Sequence, residues 1–337
     1  MKALFFSLLL FFICGTMNNA FAQTKPTSKD LVVAQDGSGD FKNIQDAINA
    51  VRDLGPRQVT IHIKKGIYHE KVIIPSWKTG ISLVGDDSGN TVIVYSDYSG
   101  KPVNCAIDAY GSTQISTYTS YTLLIQGDDC MVKNLTIINA SGRVGQAVAL
   151  HVEGDRCVVI DCRLMGNQDT LYLAKGSSRQ YYKDCYIEGT TDFIFGEATA
   201  VFDHCIIKSL INSYITAAAT TRQQAYGFVF MNCKLIADAA VKKVYLGRPW
   251  RPYAKTVYID TEMGNQILPQ GWDPWLGDAM FPNKYKTAFY AEYNSIGRGA
   301  DKANRVSWSK QLTKIEAGEY TIKNILGGQD GWNPLQK

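Results

Sequence analysis

A short phrase recurs three times at a fixed interval between residues 146 and 196, and a chain with such a period has few ways to fold. The phrases are Gln146-Ala-Val-Ala-Leu150, Asp169-Thr-Leu-Tyr-Leu173 and Asp192-Phe-Ile-Phe-Gly196, each starting 23 residues after the one before. If one interval is one coil of a solenoid, strands stacked about 4.8 Å apart place Gln146, Asp169 and Asp192 in one column. A second, independent period is a polar-Cys-x-aliphatic phrase: Asp161-Cys162-Arg163-Leu164, Asp184-Cys185-Tyr186-Ile187, His204-Cys205-Ile206-Ile207 and Asn232-Cys233-Lys234-Leu235. Asn134-Leu135-Thr136-Ile137 fits with Leu in the Cys place, and the spacings of 27, 23, 20 and 28 residues suit a solenoid whose loops vary in length. Asp169 and Asp192 each follow their cysteine by seven residues, so they occupy the same phase of neighbouring coils.

The rest of the chain agrees with coils. Val59–Ile63, Val72–Ile74, Ile81–Val84, Thr91–Val94 and Leu123–Ile125 are short and rich in β-branched residues, with turn residues between them. No amphipathic helical stretch separates them, which argues against a βαβ sheet; Lys65–Glu70 reads as a turn. One helix is expected after Asp40, its N-cap, with Phe41, Ile44, Ile48 and Val51 on one face, as a cap over the first open coil. Beyond residue 270 the coil pattern fades, and this part is expected to lie back along the solenoid and close its far end. No linker or low-complexity stretch divides residues 23–337, which read as one domain. A single globular core is strained at such a length, whereas each coil of a solenoid buries its apolar side on its neighbours.

Residues 1–22 have a basic start, an apolar stretch and Ala20-Phe21-Ala22 before Gln23, the pattern of a cleaved export signal. A lipidated Cys14 is the alternative, opposed by Ile13 where a small residue is wanted. No later stretch reaches about 18 uninterrupted apolar residues, so no membrane span is expected and the mature protein should be soluble. Without residues 1–22, 34 basic side chains face 31 acidic ones, too mild an excess to argue for nucleic acid. Seven cysteines remain, four of them in the periodic phrase. Inward stacked positions suit small hydrophobes, so free buried thiols are expected, with one bridge between neighbouring coils as the alternative.

Several chemistries lack their residues. There is no Gly-x-Ser-x-Gly elbow, and His62, His69, His151 and His204 sit singly without metal-ligand spacing. Asp36-Gly-Ser-Gly39 is a turn before a helix rather than a phosphate cradle. Carboxylate chemistry remains. Two aspartates about one strand apart, with the Gln146 and Gln168 amides nearby, suit acyl transfer: one attacks a carbonyl, the amides donate to the oxyanion, and the other protonates the leaving group. Close carboxylates resist joint ionisation, so one pKa should rise, while an arginine should lower the one it touches. A glycosidase and a structural Asp/Asn ladder stay open at this point. In Val244–Tyr253, Gly247 and two prolines suggest a rigid turn that aims Arg248 and Trp250, for a bidentate carboxylate contact or for a structural ion pair and packing. Thr117–Thr122, dense in hydroxyls, suits sugar contact or an exposed strand edge.

Six phrases carry a resemblance: Val33-Ala-Gln-Asp-Gly-Ser-Gly39, Gly66-Ile-Tyr-His-Glu70, Gln146-Ala-Val-Ala-Leu150, Gly166-Asn-Gln-Asp-Thr-Leu171, Asp192-Phe-Ile-Phe-Gly196 and Leu246-Gly-Arg-Pro-Trp250. In content and order they resemble the pectin methylesterases, over about residues 31–335. The resemblance implies an all-β, right-handed single-stranded parallel β-helix and hydrolysis of the C6 methyl ester of galacturonate in pectin, without metal or other cofactor. By motif, Asp192 resembles the family's nucleophile and Asp169 its general acid and base, with Gln146 and Gln168 as oxyanion donors and Arg248 orienting the nucleophile. Trp250, Tyr172, Phe195 and Thr117 resemble substrate contacts, as do Gln146 and Arg248. Tyr172 and Phe195 lie three places after an aspartate, across the opposite face under strict alternation, so their assignment requires a bend in the backbone. The plant members carry a long inhibitor-like region before the enzyme, whereas here the export signal leads straight into it. The expectation is a secreted or periplasmic monomer that acts on pectin. A β-helical lyase or glycosidase is the runner-up, and a non-catalytic carbohydrate-binding solenoid the third reading.

Overall fold

The computed structural model describes residues 30–103, 107 and 111–336. The expected export signal with Cys14, and Cys105, lie outside the described residues. The chain winds as a right-handed parallel β-helix whose central coils each give one strand to each of three parallel sheets, which count eleven, seven and eight strands because the end coils are incomplete. Val159 pairs with Tyr182, Leu164 with Ile187 and Leu171 with Ile194, one pair from each sheet and each 23 residues apart. Alternation sends Ile61, Leu83, Leu164, Ile187 and Leu171 into one continuous core.

The polar residue of the periodic phrase turns the corner from the eleven-stranded to the eight-stranded sheet. Asn134, Asp161, Asp184, His204 and Asn232 have φ of 55, 54, 52, 55 and 53°. Asn and Asp tolerate this left-handed region through local hydrogen bonds, at a cost on the order of 1 kcal/mol. Each buried aliphatic side chain that the corner aims inward contributes about 1.5–3 kcal/mol, so the corner is retained. The next residue then points inside. Cys162, Cys185, Cys205 and Cys233 are buried, and their thiols donate to carbonyls of the preceding coil at 3.3–3.6 Å. The six described cysteines are free and buried, so no bridge joins neighbouring coils among them.

Beside the cysteines an aromatic stack climbs the core, Tyr182–Phe202–Phe230–Tyr258, with centroids 4.4–4.8 Å apart. Trp272 and Tyr290, 4.5 Å apart and buried, continue it and close the far end. At the near end the helix Ile44–Ala50 buries Ile44, Ala47 and Ile48 in the same core. Asp40 does not cap this helix: its carboxylate accepts the Val32 N–H, and the N-cap is Asn43. The free amides of Ile44 and Gln45 donate instead to Glu70, 3.0 Å each, a carboxylate from the next coil that satisfies orphan donors. Lys65–Glu70 is likewise more than a turn. Gly66–Tyr68 is a strand because Tyr68 points inward, its hydroxyl donating to the Lys64 carbonyl at 2.8 Å. The C-terminal segment does lie back along the solenoid: Ile325 and Leu326 pack on Val158, Tyr181, Val201 and Val229, on the outer face of the eleven-stranded sheet. No helix among the described residues is long and apolar enough to cross a membrane.

Candidate active site

One row of side chains crosses the outer face of the seven-stranded sheet. Its register runs Ile73, Leu124, His151, Tyr172, Phe195, Ala217, Arg248. Tyr172 lies 4.5 Å from His151 and stacks on Phe195 at 4.6 Å, while Trp250 meets Phe195 edge-on at 5.9 Å. At Ala217 the aromatic row drops to a methyl group. Beside it opens a cleft of about 230 Å³ lined by Thr117, Tyr118, Gln146, Gln168, Asp169, Asp192, Phe195, Ala217, Arg248, Trp250 and Trp275.

The two aspartates enter this cleft from just before their strands. Asp169 precedes Leu171–Leu173 with φ 66°, and Asp192 precedes Ile194–Gly196 with φ 50°. A left-handed residue breaks the strand alternation, so Tyr172 and Phe195, three places on, come back to the face of the aspartates. The bend required by their assignment is this one. Their main chains stay in the ladder, Asp169 donating to the Thr191 carbonyl and Asp192 to that of Tyr214.

The expected single column needs correction at its first member. Asp169 and Asp192 are one coil apart in register, but Gln146 pairs with Gln168, and Leu150 pairs with Leu171 rather than Leu173. Gln146 to Leu150 is one residue longer than Gln168 to Leu171. The surplus is absorbed where Ala149 and Leu150 both donate to the Thr170 carbonyl, a bulge in the ladder. The two glutamines are thus the stacked pair, and among the described residues neither side-chain amide has a protein hydrogen-bond partner.

Arg248 makes the bidentate contact. Its Nε donates to Asp192 Oδ1 at 3.0 Å and its Nη2 to Oδ2 at 2.6 Å. The guanidinium is sandwiched, 3.9 Å from the Tyr214 ring centroid and 3.7 Å from that of Trp275. The expected rigid turn is instead a strand, Tyr245–Pro249, at the edge of its sheet, where a proline costs no ladder hydrogen bond. Gly247 is required there, since a Cβ would stand 1.9 Å from Thr216 Oγ1.

Both carboxyls are buried, Asp169 at 7% and Asp192 at 6% exposure. Burial pushes Asp169 far above the ordinary carboxylate range and the Asp192 charge pushes it further, with Arg248 opposing weakly. At Asp192 burial also raises the pKa, and the Arg248 fork opposes it most directly. The arginine lowers the pKa of the carboxylate it touches, as expected from sequence, but desolvation outweighs it and the net direction at Asp192 is upward. What the arginine creates is an asymmetry, with Asp169 the more reluctant to ionise.

Thr117 opens a short 3-10 helix, Thr117–Thr119, capped by Ser116, rather than an exposed strand edge. The cleft also uses Tyr118, which sequence reasoning covered only through the hydroxyl-rich stretch Thr117–Thr122, and Ala217 and Trp275, to which it assigned no role, with Tyr214 behind Arg248. Continuing the coil count past Asp192 reaches Tyr214 and Ala217, since Ile194 pairs with Thr216. Trp275 stands in Trp272-Asp-Pro-Trp275, and nothing in that phrase signals a partner. Among the described residues no group of three or more His, Cys, Asp or Glu is placed to hold a metal ion.

Comparison with known proteins gives one answer. A curated relative, the probable pectinesterase/pectinesterase inhibitor 23 of Arabidopsis thaliana, is 38% identical over 324 residues, covering 92% of this chain and 54% of that protein. The chain thus spans about half the length of that relative. Among solved structures, the pectin methylesterase from carrot superposes with a TM-score of 0.79 at 32% identity, over 91% of this chain and 96% of that one. A pectin methylesterase solved in complex with a hexasaccharide gives 0.78 and 32%, over 92% of this chain and 100% of that one. The pectinesterase family model matches residues 30–329, nearly all of the described chain, and the protein therefore belongs to the pectinesterase family.

Proposed function

We propose that this protein hydrolyses the C6 methyl esters of galacturonate units in pectin and releases methanol. The observation that carries the reading is the buried pair: Asp192 in the fork of Arg248, with Asp169 one coil away in the same cleft. The fork leaves Asp192 the easier of the two to ionise, and its carboxylate attacks the ester carbonyl. The Gln146 and Gln168 amides donate to the oxyanion. Asp169, kept protonated by burial and by its neighbour's charge, gives its proton to the departing methoxide, which leaves as methanol. The galacturonyl group is then held on Asp192 as a mixed anhydride. Asp169, now a carboxylate, takes a proton from water as that water attacks the acyl carbon; galacturonate leaves, Asp192 is regenerated as carboxylate and Asp169 is reprotonated. Phe195 and Trp250 line the cleft for the sugars with the Thr117 hydroxyl, and Tyr172, packed between His151 and Phe195, meets them by its ring edge.

The family and the hexasaccharide held by a pectin methylesterase of similar fold support this substrate class. Export to the periplasm or the exterior through residues 1–22, a single domain over 23–337 and a monomeric state complete the proposal. The test is methanol release from highly methylated pectin, run beside a measurement of chain length. Methanol without shortening, unchanged by a chelator, is the expected result. A rapid fall in viscosity with new chain ends would replace this reading with that of a lyase or glycosidase.

A further inference from the structure

The stack around Arg248 continues past the cleft wall. Trp275 carries two cations, the Arg248 guanidinium 3.7 Å from its ring centroid and the Lys284 ammonium at 4.0 Å. The Lys284 side chain has no exposed surface, and its Nζ lies 2.6 Å from Asp278 Oδ2 and 3.4 Å from the Trp250 carbonyl oxygen. One buried cation thus touches the ring of one cleft tryptophan and the backbone of the other. Burying an ammonium is costly even when it is paired, and a thioether of similar length fills the same space without that cost. Packing alone does not account for a lysine here.

We propose that Lys284 is a positioning residue of the ester hydrolysis, holding Trp275 and Trp250 so that Arg248 keeps its fork on Asp192, and adding a fixed positive charge to the site. This rests on Asp192 being the nucleophile. The charges facing Asp192 are Arg248 and Lys284, which favour its ionised form, and Asp273, which disfavours it, while the neighbouring Asp169 is held protonated. The Tyr214 and Tyr290 hydroxyls are neutral there. Lys284 itself is faced by Asp278, Arg251 and Arg248, and burial lowers its pKa. Removing its charge takes away one of the two groups that oppose protonation of Asp192. Because Asp192 attacks as the carboxylate, the acid limb of kcat/KM then moves to higher pH.

The test uses Lys284→Met and Asp278→Asn in the full chain, with kcat and KM for methanol release followed across pH and near-ultraviolet circular dichroism to confirm folding. In Lys284→Met we expect kcat to fall several-fold, KM to rise by a smaller factor because Trp250 is also a proposed sugar contact, and the acid limb to rise by at least about 0.3 pH units. Asp278→Asn leaves the cation but frees it, so kcat falls a few-fold while the limb stays. A folded Lys284→Met enzyme with the wild-type limb overturns the proposal. If that variant does not fold, wild-type kcat in Asp278→Asn overturns it instead. A carboxyl 13C titration of Asp192 reads the same shift without turnover. An inactive wild type therefore counts against the proposed function, and an unmoved Asp192 signal against Lys284.

Discussion

Asp184 and Asp192 stand eight residues apart in one coil, with φ of 52 and 50°, and they serve opposite ends. Asp184 turns the chain from the eleven-stranded to the eight-stranded sheet, exposed, with Lys183 at 3.9 Å as its only ionic neighbour among the described residues. Asp192 turns it toward the seven-stranded sheet, buried under Arg248. Each has a counterpart one coil earlier, Asp161 for the first and Asp169 for the second. The backbone device is therefore the same in both columns, and burial with a fixed guanidinium separates the proposed catalyst from a corner. A solenoid can gain such a site without new backbone geometry, by covering one of its left-handed columns.

The largest effect should come from exchanging the two aspartates for asparagine. Asp192→Asn should lower methanol release at least about a thousandfold, because an amide is a poor nucleophile, with the fold kept by a near-isosteric side chain. Asp184→Asn should stay within about twofold of wild type, since asparagine suits a left-handed corner equally well. Equal damage from both changes would erase the distinction between the columns. Asp169→Asn should also be severe, as the amide has no proton to give and cannot activate water. Groups acting as a unit lose function non-additively, so the double variant should be hardly worse than either single one.

Arg248→Lys sharpens the contrast at a smaller scale. The charge stays but the planar fork and the sandwich between Tyr214 and Trp275 are lost, so turnover should fall at least about tenfold, or 1.4 kcal/mol of barrier. Near wild-type turnover would mean that a point charge beside Asp192 suffices.

How far this site could be read from sequence depends on what sets each position. The interval between Asp169 and Asp192 gave true neighbours because the coil between them has no insertion. The same interval misplaced Gln146, since a bulge at Ala149 hides one residue that a count cannot see. The polar residues before the cysteines were visible as a ladder, yet their left-handed geometry was not, because sequence periodicity reports phase and not φ. Arg248 was found through its phrase, although the phrase was read as a turn: glycine and proline mark an edge strand as readily as a loop. Trp275, Lys284 and Asp278 escaped because their partners lie in a loop beyond the coil pattern, where no period relates them to the site. Glu70 capping the helix at Ile44 is the same kind of miss, a long-range contact overriding the local candidate Asp40.

The smallest effect concerns stability. The pKa of Asp169 is higher in the folded than in the unfolded protein, where it lies near 3.9, so its share of stability is full at acid pH and is lost as pH rises through the folded value. Asp169→Asn carries no such charge. Its melting midpoint should match wild type near pH 4 and exceed it at alkaline pH, by about 2 °C or more. A wild type that gains on the variant as pH rises would show that the buried carboxyl is not strained.

The most direct measurement is a carboxyl 13C titration of the folded wild-type protein, with Asp169→Asn and Asp192→Asn used to assign the two signals. Asp192 should ionise first, and Asp169 should stay protonated at the pH where Asp192 is already a carboxylate. The reverse order, with Asp169 ionised beside a protonated Asp192, would contradict the division of labour between them and exchange nucleophile and acid.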